Sequence, residues 1–268
     1  MDNRAIGIFD SGLGGLTAVR ALRALLPREN IVYFADTARM PYGAWSAETL
    51  RVMAKQDLDF VASKGVKCIL AACGTVSSTA PDILAAYPVR TFNVLSSTVR
   101  ETAREDNSPV GVIATAASIK SGAFKRALQA SIPGVEVIDV ACPAFVPLIE
   151  SGRFAEHDEE LAAAVADYLT PIREAGARSL ILGCTHYGLI EQPIRRFLGN
   201  QVRLIEASAC AARELADYLT ENDLCGGTGE ERYYTSGSAE DFTALSSLFL
   251  GRGVRGRVGH VAPMEAEK

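Results

Sequence analysis

Ile69-Leu70-Ala71-Ala72-Cys73-Gly74-Thr75 and Ile181-Leu182-Gly183-Cys184-Thr185 are two versions of one phrase. Each is a short aliphatic run closed by a small residue, then a cysteine, then a threonine at or next to the following position. Apolar runs of this length read as strands buried on both faces. Cys73 and Cys184 lie 111 residues apart in a chain of 268, close to half its length. The repetition predicts an internal duplication, with two similar lobes built on the same strand-to-helix unit.

Working outward, the same alternation runs along the chain. Ala5–Phe9, Ile31–Ala35, Val66–Ala71 and Val89–Val94 read as strands, followed by Pro109–Ala114, Val135–Val140, Ser179–Leu182 and Val202–Glu206. Amphipathic stretches at helical period lie between them: Leu16–Leu26, Ala47–Ser63, Glu159–Ala175 and Ala209–Leu219. Strand and helix in repeated alternation predict an α/β fold of two similar lobes. Each lobe is a mostly parallel sheet flanked by helices, with the active site in the crevice between them. The tail from Tyr233, with a strand-like piece and a helix at Asp241–Leu250, is expected to pack onto the first lobe. That assigns 1–96 and 208–268 to a discontinuous first lobe and 97–207 to the second, with crossings near Ser96–Ser97 and Glu206–Ser208.

Composition narrows the function classes. Lys and Arg number 27 against 32 Asp and Glu, a net charge of −5 that argues against a nucleic-acid partner. No apolar run approaches the ~20 residues of a membrane helix, and the first residues carry no signal core, so a cytoplasmic protein is expected. Six cysteines are too sparse for a disulfide scaffold; with no CxxC pair and three histidines (His157, His186, His260), no metal site is expected. Cys68, Cys210 and Cys225 read as inert buried or peripheral thiols.

In such sheets chemistry gathers at the carboxyl ends of strands. Asp10-Ser11-Gly12-Leu13-Gly14-Gly15 follows the first strand and opens a helix, reading either as a carboxylate-binding turn or as a plain turn capped by Asp10 or Ser11. Asp36–Gly43 is a turn-rich loop whose Tyr42 could close over a ligand with its ring or backbone, though spacing alone favours an ordinary surface loop. Cys73 and Cys184 sit where the next helix begins, a place expected to favour the thiolate and lower the pKa below the usual ~8.5. Two thiols facing each other across one crevice suit inversion at carbon, one removing a proton and the other delivering one to the opposite face. His186 can hydrogen-bond the Cys184 thiol or a bound carboxylate. Glu150 ends the apolar stretch after Cys142-Pro143, as a site residue or as a solvated helix-end charge.

These segments together resemble the glutamate racemases, cofactor-independent amino-acid racemases. The resemblance rests on Ile8–Leu16, Tyr33–Gly43, Ala72–Thr75, Val112–Thr115, Ala141–Glu150 and Leu182–Tyr187, in order along almost the whole chain. It implies glutamate bound between two lobes, no cofactor, and Cys73 and Cys184 as the acid/base pair. Asp10 would assist Cys73 and His186 would assist Cys184, with Glu150 a further helper. Ser11, Tyr42, Gly43, Gly74, Thr75, Thr115, Thr185, Asp10 and His186 would hold the substrate. The implied role is supply of D-glutamate for peptidoglycan. Two positions depart from the family's pattern: Gly74 stands where Asn is usual, and Ser118 replaces a threonine with its hydroxyl kept. A homodimer is the default expectation. The alternatives are a racemase of aspartate or another amino acid, and a non-catalytic amino-acid-binding or regulatory protein.

Overall fold

In a computed structural model that describes residues 1–105, 109–155 and 157–262, ten strands form two sheets. Residues 106–108 and 156 of the second-lobe assignment, and 263–268 of the first, lie outside the described residues. The strands are β1 (Ile6–Asp10), β2 (Ile31–Ala35), β3 (Cys68–Ala71), β4 (Thr91–Asn93) and β5 (Val110–Ala114), then β6 (Val137–Ala141), β7 (Ser179–Leu182), β8 (Arg203–Glu206), β9 (Glu231–Thr235) and β10 (Val258–His260). One sheet has the order β10-β9-β2-β1-β3-β4 and the other β6-β5-β7-β8. Every pairing is parallel.

The duplication predicted from the two cysteine phrases is a topological fact. The segment β2-β1-β3-β4 has the same order as β6-β5-β7-β8, and Cys73 and Cys184 follow the equivalent strands β3 and β7. β1, β2, β3, β5 and β7 are buried at every position, which is why they read as unbroken apolar runs. The order of strand addition reverses between β1 and β3 in one sheet and between β5 and β7 in the other, where open α/β sheets leave a crevice. The exits there are Asp10 and Cys73 in one sheet, Thr115 and Cys184 in the other.

Helices cover the faces with their apolar stripes. Helix Leu16–Leu25 buries Leu16, Val19 and Leu22 at helical spacing. Helix Ala47–Ala62 starts at Ser46, whose hydroxyl accepts from Thr49 N at 3.1 Å, and buries Leu50, Met53, Leu58 and Val61. In the tail, β9 extends the first sheet beside β2, and helix Ala239–Leu250 begins at Ser238, which caps Asp241 N at 3.1 Å.

Some boundaries differ from expectation. The strand read over Val89–Val94 is only Thr91–Asn93, because the Asn93 side chain accepts from Ser96 N at 2.9 Å and starts helix Val94–Thr102. That helix, with Ser96 and Ser97 inside it, had no distinct signal in the sequence. Among the described residues no helix is long and apolar enough to cross a membrane.

Candidate active site

The strand exits of both sheets converge on one cavity of about 420 Å³. Every site residue predicted from the sequence borders it: Asp10, Ser11, Tyr42, Gly43, Cys73, Gly74 and Thr75 on one side, and Thr115, Glu150, Cys184, Thr185 and His186 on the other. The two cysteines are both buried, at 3% and 8% exposure.

Cys184 sits between β7 and the 3-10 turn Thr185–Ile190. Its sulfur lies 3.8 Å from His186 Nδ1, and His186 Nε2 lies 3.0 Å from Glu150 Oε1. Burial alone would lower the pKa of His186, but the hydrogen bonds to Cys184 and Glu150 outweigh it and raise the ring to about 10. An imidazolium therefore stands beside the Cys184 sulfur. Its ring packs edge-on against Phe249 at 5.2 Å between centroids.

Cys73 has a different setting, and here one expectation is corrected. Its thiol is not depressed by the helix start. Burial pushes it up to about 12, the Asp10 carboxylate adds to the rise, and the hydrogen bonds around Ser11 and Val76 offset only part of it. The helix that Cys73 opens, Gly74–Thr79, has only six residues, so little dipole opposes desolvation. Cys73 Sγ lies 3.5 Å from Ser11 Oγ, which donates in turn toward Asp10 Oδ1 at 3.4 Å. The Asp10 carboxylate also accepts from Ser11 N at 2.8 Å, Gly15 N at 2.6 Å and Thr185 Oγ1 at 3.3 Å. It thus shapes the glycine turn and reaches Cys73 through Ser11.

Tyr42 borders the cavity, with its hydroxyl engaged elsewhere. Its hydroxyl does not face the cavity; it is buried and donates to Asp57 Oδ2 at 2.7 Å and to Asp36. Arg39 pairs with both carboxylates, at 2.9 Å for Asp57, and Ser236 Oγ donates to Asp36 Oδ1 at 2.7 Å. This buried network fixes the loop from below, leaving its backbone and the open position of Gly43 toward the cavity. Across the crevice the Thr75 and Thr115 hydroxyls lie 3.1 Å apart, and Thr115 Oγ1 donates to Ser118 Oγ at 3.0 Å.

Cys142, Val146 and Pro147, which no prediction placed in the site, form an apolar part of the wall. Their signal was the Cys142-Pro143 exit of β6, which lies at the same end of the sheet as Thr115. Burial, with Cys184 adding, pushes the Cys142 thiol upward. Among the described residues no three His, Cys, Asp or Glu side chains cluster as metal ligands would. The arrangement offers two sulfurs in one desolvated cavity, one beside a cation and one beside an anion.

A family model for Asp/Glu/Hydantoin racemases matches residues 17–215. The chain is 38% identical to the glutamate racemase of Geobacter metallireducens, over 99% of this chain and 98% of that protein. It superposes with a TM-score of 0.90 on the crystal structure of the Francisella tularensis glutamate racemase in complex with D-glutamate, at 36% identity, covering 98% of this chain and 99% of that one. With the Thermus thermophilus glutamate racemase in complex with beta-chloro-D-alanine the TM-score is 0.87 at 36% identity, covering 98% of each. Sequence, fold and a cavity carrying two cysteines on equivalent strands agree, and the chain belongs to the Asp/Glu/Hydantoin racemase family.

Proposed function

We propose that this chain is a glutamate racemase that inverts the α-carbon by proton transfer between two thiols, with no cofactor. The observation that carries the reading is the pairing of Cys73 and Cys184, buried at equivalent strand exits of two like sheets and bordering one cavity. Relatives named glutamate racemase at 36–38% identity over nearly the full length support the substrate.

The two sulfurs have opposite electrostatic surroundings, which suits a two-base reaction. Cys184, beside His186, acts as the base for one enantiomer. Cys73, held as a thiol by burial and by Asp10, is the resting acid. The Cys184 thiolate takes the α-proton onto sulfur, the electron pair stays on the carbon, and the Cys73 thiol delivers its proton to the opposite face. The reverse direction exchanges the roles. Exclusion of water and prearranged hydrogen-bond donors lower the cost of the carbanion. Thr75, Thr115, Thr185, Ser11 and the backbone of Tyr42, Gly43 and Gly74 hold the ammonium and the two carboxylates, and Glu150 steadies His186.

The D-glutamate made this way would serve peptidoglycan synthesis in the cytoplasm. We assign residues 1–96 with 208–268 to the first lobe and 97–207 to the second, and propose a homodimer. The test is proton NMR of L-glutamate in deuterated buffer, with chiral analysis of the same samples. Loss of the α-proton signal with growth of D-glutamate is expected, with inversion lowered by about 10²–10⁴-fold or more in Cys73→Ala and in Cys184→Ala. Near-normal inversion by either variant would defeat the two-thiol mechanism, and unchanged glutamate beside racemised aspartate would move the substrate.

A further inference from the structure

His186 is held from outside its own sheet. Its ring turns about a bond with a broad torsional minimum, so the side chain alone does not fix where the two nitrogens point. Yet both are committed: Nδ1 lies 3.8 Å from Cys184 Sγ and Nε2 lies 3.0 Å from Glu150 Oε1. The sulfur contact is long, and a modest rotation of the ring would lose it. What opposes that rotation comes from chain belonging to the first sheet. The Gly14 backbone, in the turn after β1, closes on one edge of the ring: a Cβ there would come within 2.5 Å of Nδ1 and 2.7 Å of Cε1. Phe249, near the end of helix Ala239–Leu250, meets the ring at 5.2 Å between centroids with the two planes 81° apart. That helix packs on helix Leu16–Leu25, β9 and β10, and Phe249 is only 1% exposed. A second cavity of about 250 Å³ is bordered by Phe249 together with Leu13, Met40, Leu245 and Glu150. Phe249 therefore stands between the imidazole and open space.

We propose that Phe249 is a positioning residue that locks the His186 ring onto Cys184, so that the tail helix on one sheet sets up the base carried by the other. The inference rests on the racemase reading and adds how its base is held. Leucine at this position keeps an apolar side chain but not a flat ring. The volume it vacates joins the second cavity, and the imidazole is free to turn toward it. The groups that face the ring are Cys184, Glu150 and Asp10, and each favours its charged form against burial. A turned ring loses part of that support, and Cys184 loses the neighbour that favours its thiolate. Phe249 lies behind His186 rather than on the active-site cavity, so turnover should suffer more than substrate binding.

The experiment follows the His186 ring by nitrogen NMR of histidine-labelled protein through a pH titration. It compares wild type with Phe249→Leu, each with and without Cys184→Ala. The other two histidines, His157 and His260, are exposed, which leaves His186 as the one buried ring to follow. In the wild-type background, Cys184→Ala should lower the His186 midpoint by about one pH unit or more. In the Phe249→Leu background that drop should shrink to about half or less, because the ring no longer faces the sulfur. Kinetics should follow, with kcat for inversion of L-glutamate lower by about tenfold and KM changed far less. An equal drop in both backgrounds overturns the proposal even where activity is lost, because lost activity without lost coupling is what a purely structural role gives. If Phe249→Leu does not fold, Phe249→Met, which fills the site with a flexible chain and no ring, carries the same test. Wild type that leaves glutamate unchanged removes the racemase reading, and the titration still decides whether Phe249 holds the ring.

Discussion

Glu150 Oε1 stands 3.0 Å from His186 Nε2, on the side of the ring away from the Cys184 sulfur. The side chain of Glu150 is 29% exposed and that of His186 only 6%, so a partly solvated carboxylate supports a buried imidazolium. The ring's charge is thus set from two sides, by Cys184 and by Glu150. Glu150→Gln keeps the shape and removes the charge. With one of the interactions that raise it to about 10 weakened, His186 should deprotonate at lower pH, and the alkaline limb of kcat/KM should move down with it. A hydrogen bond to a charged group contributes about 1.5–3 kcal/mol, less here for exposure, so a loss of about tenfold in kcat is expected. A pH–rate profile of the variant that overlays the wild-type curve would remove Glu150 from this role.

Tyr42 tests the loop from beneath. Tyr42→Phe removes the hydroxyl that donates to Asp57 and Asp36 and leaves two buried carboxylates with Arg39 and Ser236. Losing a buried hydroxyl that bridges two buried carboxyl groups should cost about 1–3 kcal/mol in urea unfolding. Because the hydroxyl lies away from the cavity, the kinetic effect should fall on KM through the backbone at Gly43, with kcat within a few-fold. A variant with wild-type stability and a collapsed kcat would place the hydroxyl in the chemistry instead.

Most of this site was legible because the chemistry lies at strand exits, and strand exits are marked by local patterns. Aliphatic runs ending in Cys73 and Cys184 fixed both strand and site, and the apolar character of β1, β2, β5 and β7 follows from burial on both faces. What escaped was non-local. Helix Val94–Thr102 starts at the Asn93 cap directly after a three-residue strand and packs on helices Ala207–Glu221 and Ala123–Ser131, so its nine residues do not separate from the strand pattern before them. The Tyr42 hydroxyl turned inward because Asp57, a polar residue on the buried face of helix Ala47–Ala62, waits for it. The Cys73 thiol departed from expectation because a short helix is a smaller influence than complete desolvation beside Asp10. Each of these depends on partners brought together by the fold.

The duplication makes a prediction about stability. Gly7 in β1 and Gly111 in β5 occupy the same place in equivalent strands, and each packs against a covering helix. A Cβ on Gly111 would lie 2.8 Å from Ile172 Cγ2 and 3.0 Å from Leu180 Cδ1, and one on Gly7 would strike Val61 and lie 3.1 Å from Val66 Cγ2. Gly111→Ala and Gly7→Ala should each lower stability by about 1–3 kcal/mol through overpacking. The readout is the urea midpoint at unchanged m-value. A change within about 0.5 kcal/mol for both would show that the helices shift without cost.

Asp57 gives the sign of a pH effect on stability. It is completely buried; desolvation, then the neighbouring Asp36, push its pKa well above 3.8, while the Tyr42 hydrogen bond and Arg39 pull the other way. A carboxyl whose folded pKa is raised binds more protons in the folded state than in the unfolded one. Its contribution to stability is complete below the unfolded value and is lost as pH rises toward the folded value. Asp57→Asn removes the titration and keeps a neutral side chain of the same size. Relative to wild type, the variant should therefore gain stability as pH rises above about 4, and the gap should level off once the wild-type carboxyl has ionised. Urea unfolding of both proteins across that range measures the gap directly, and because the other titrating groups are common to both, they largely cancel in the difference. A difference that stays flat, or that moves toward wild type, would mean that Arg39 and Tyr42 outweigh burial and hold Asp57 as a carboxylate.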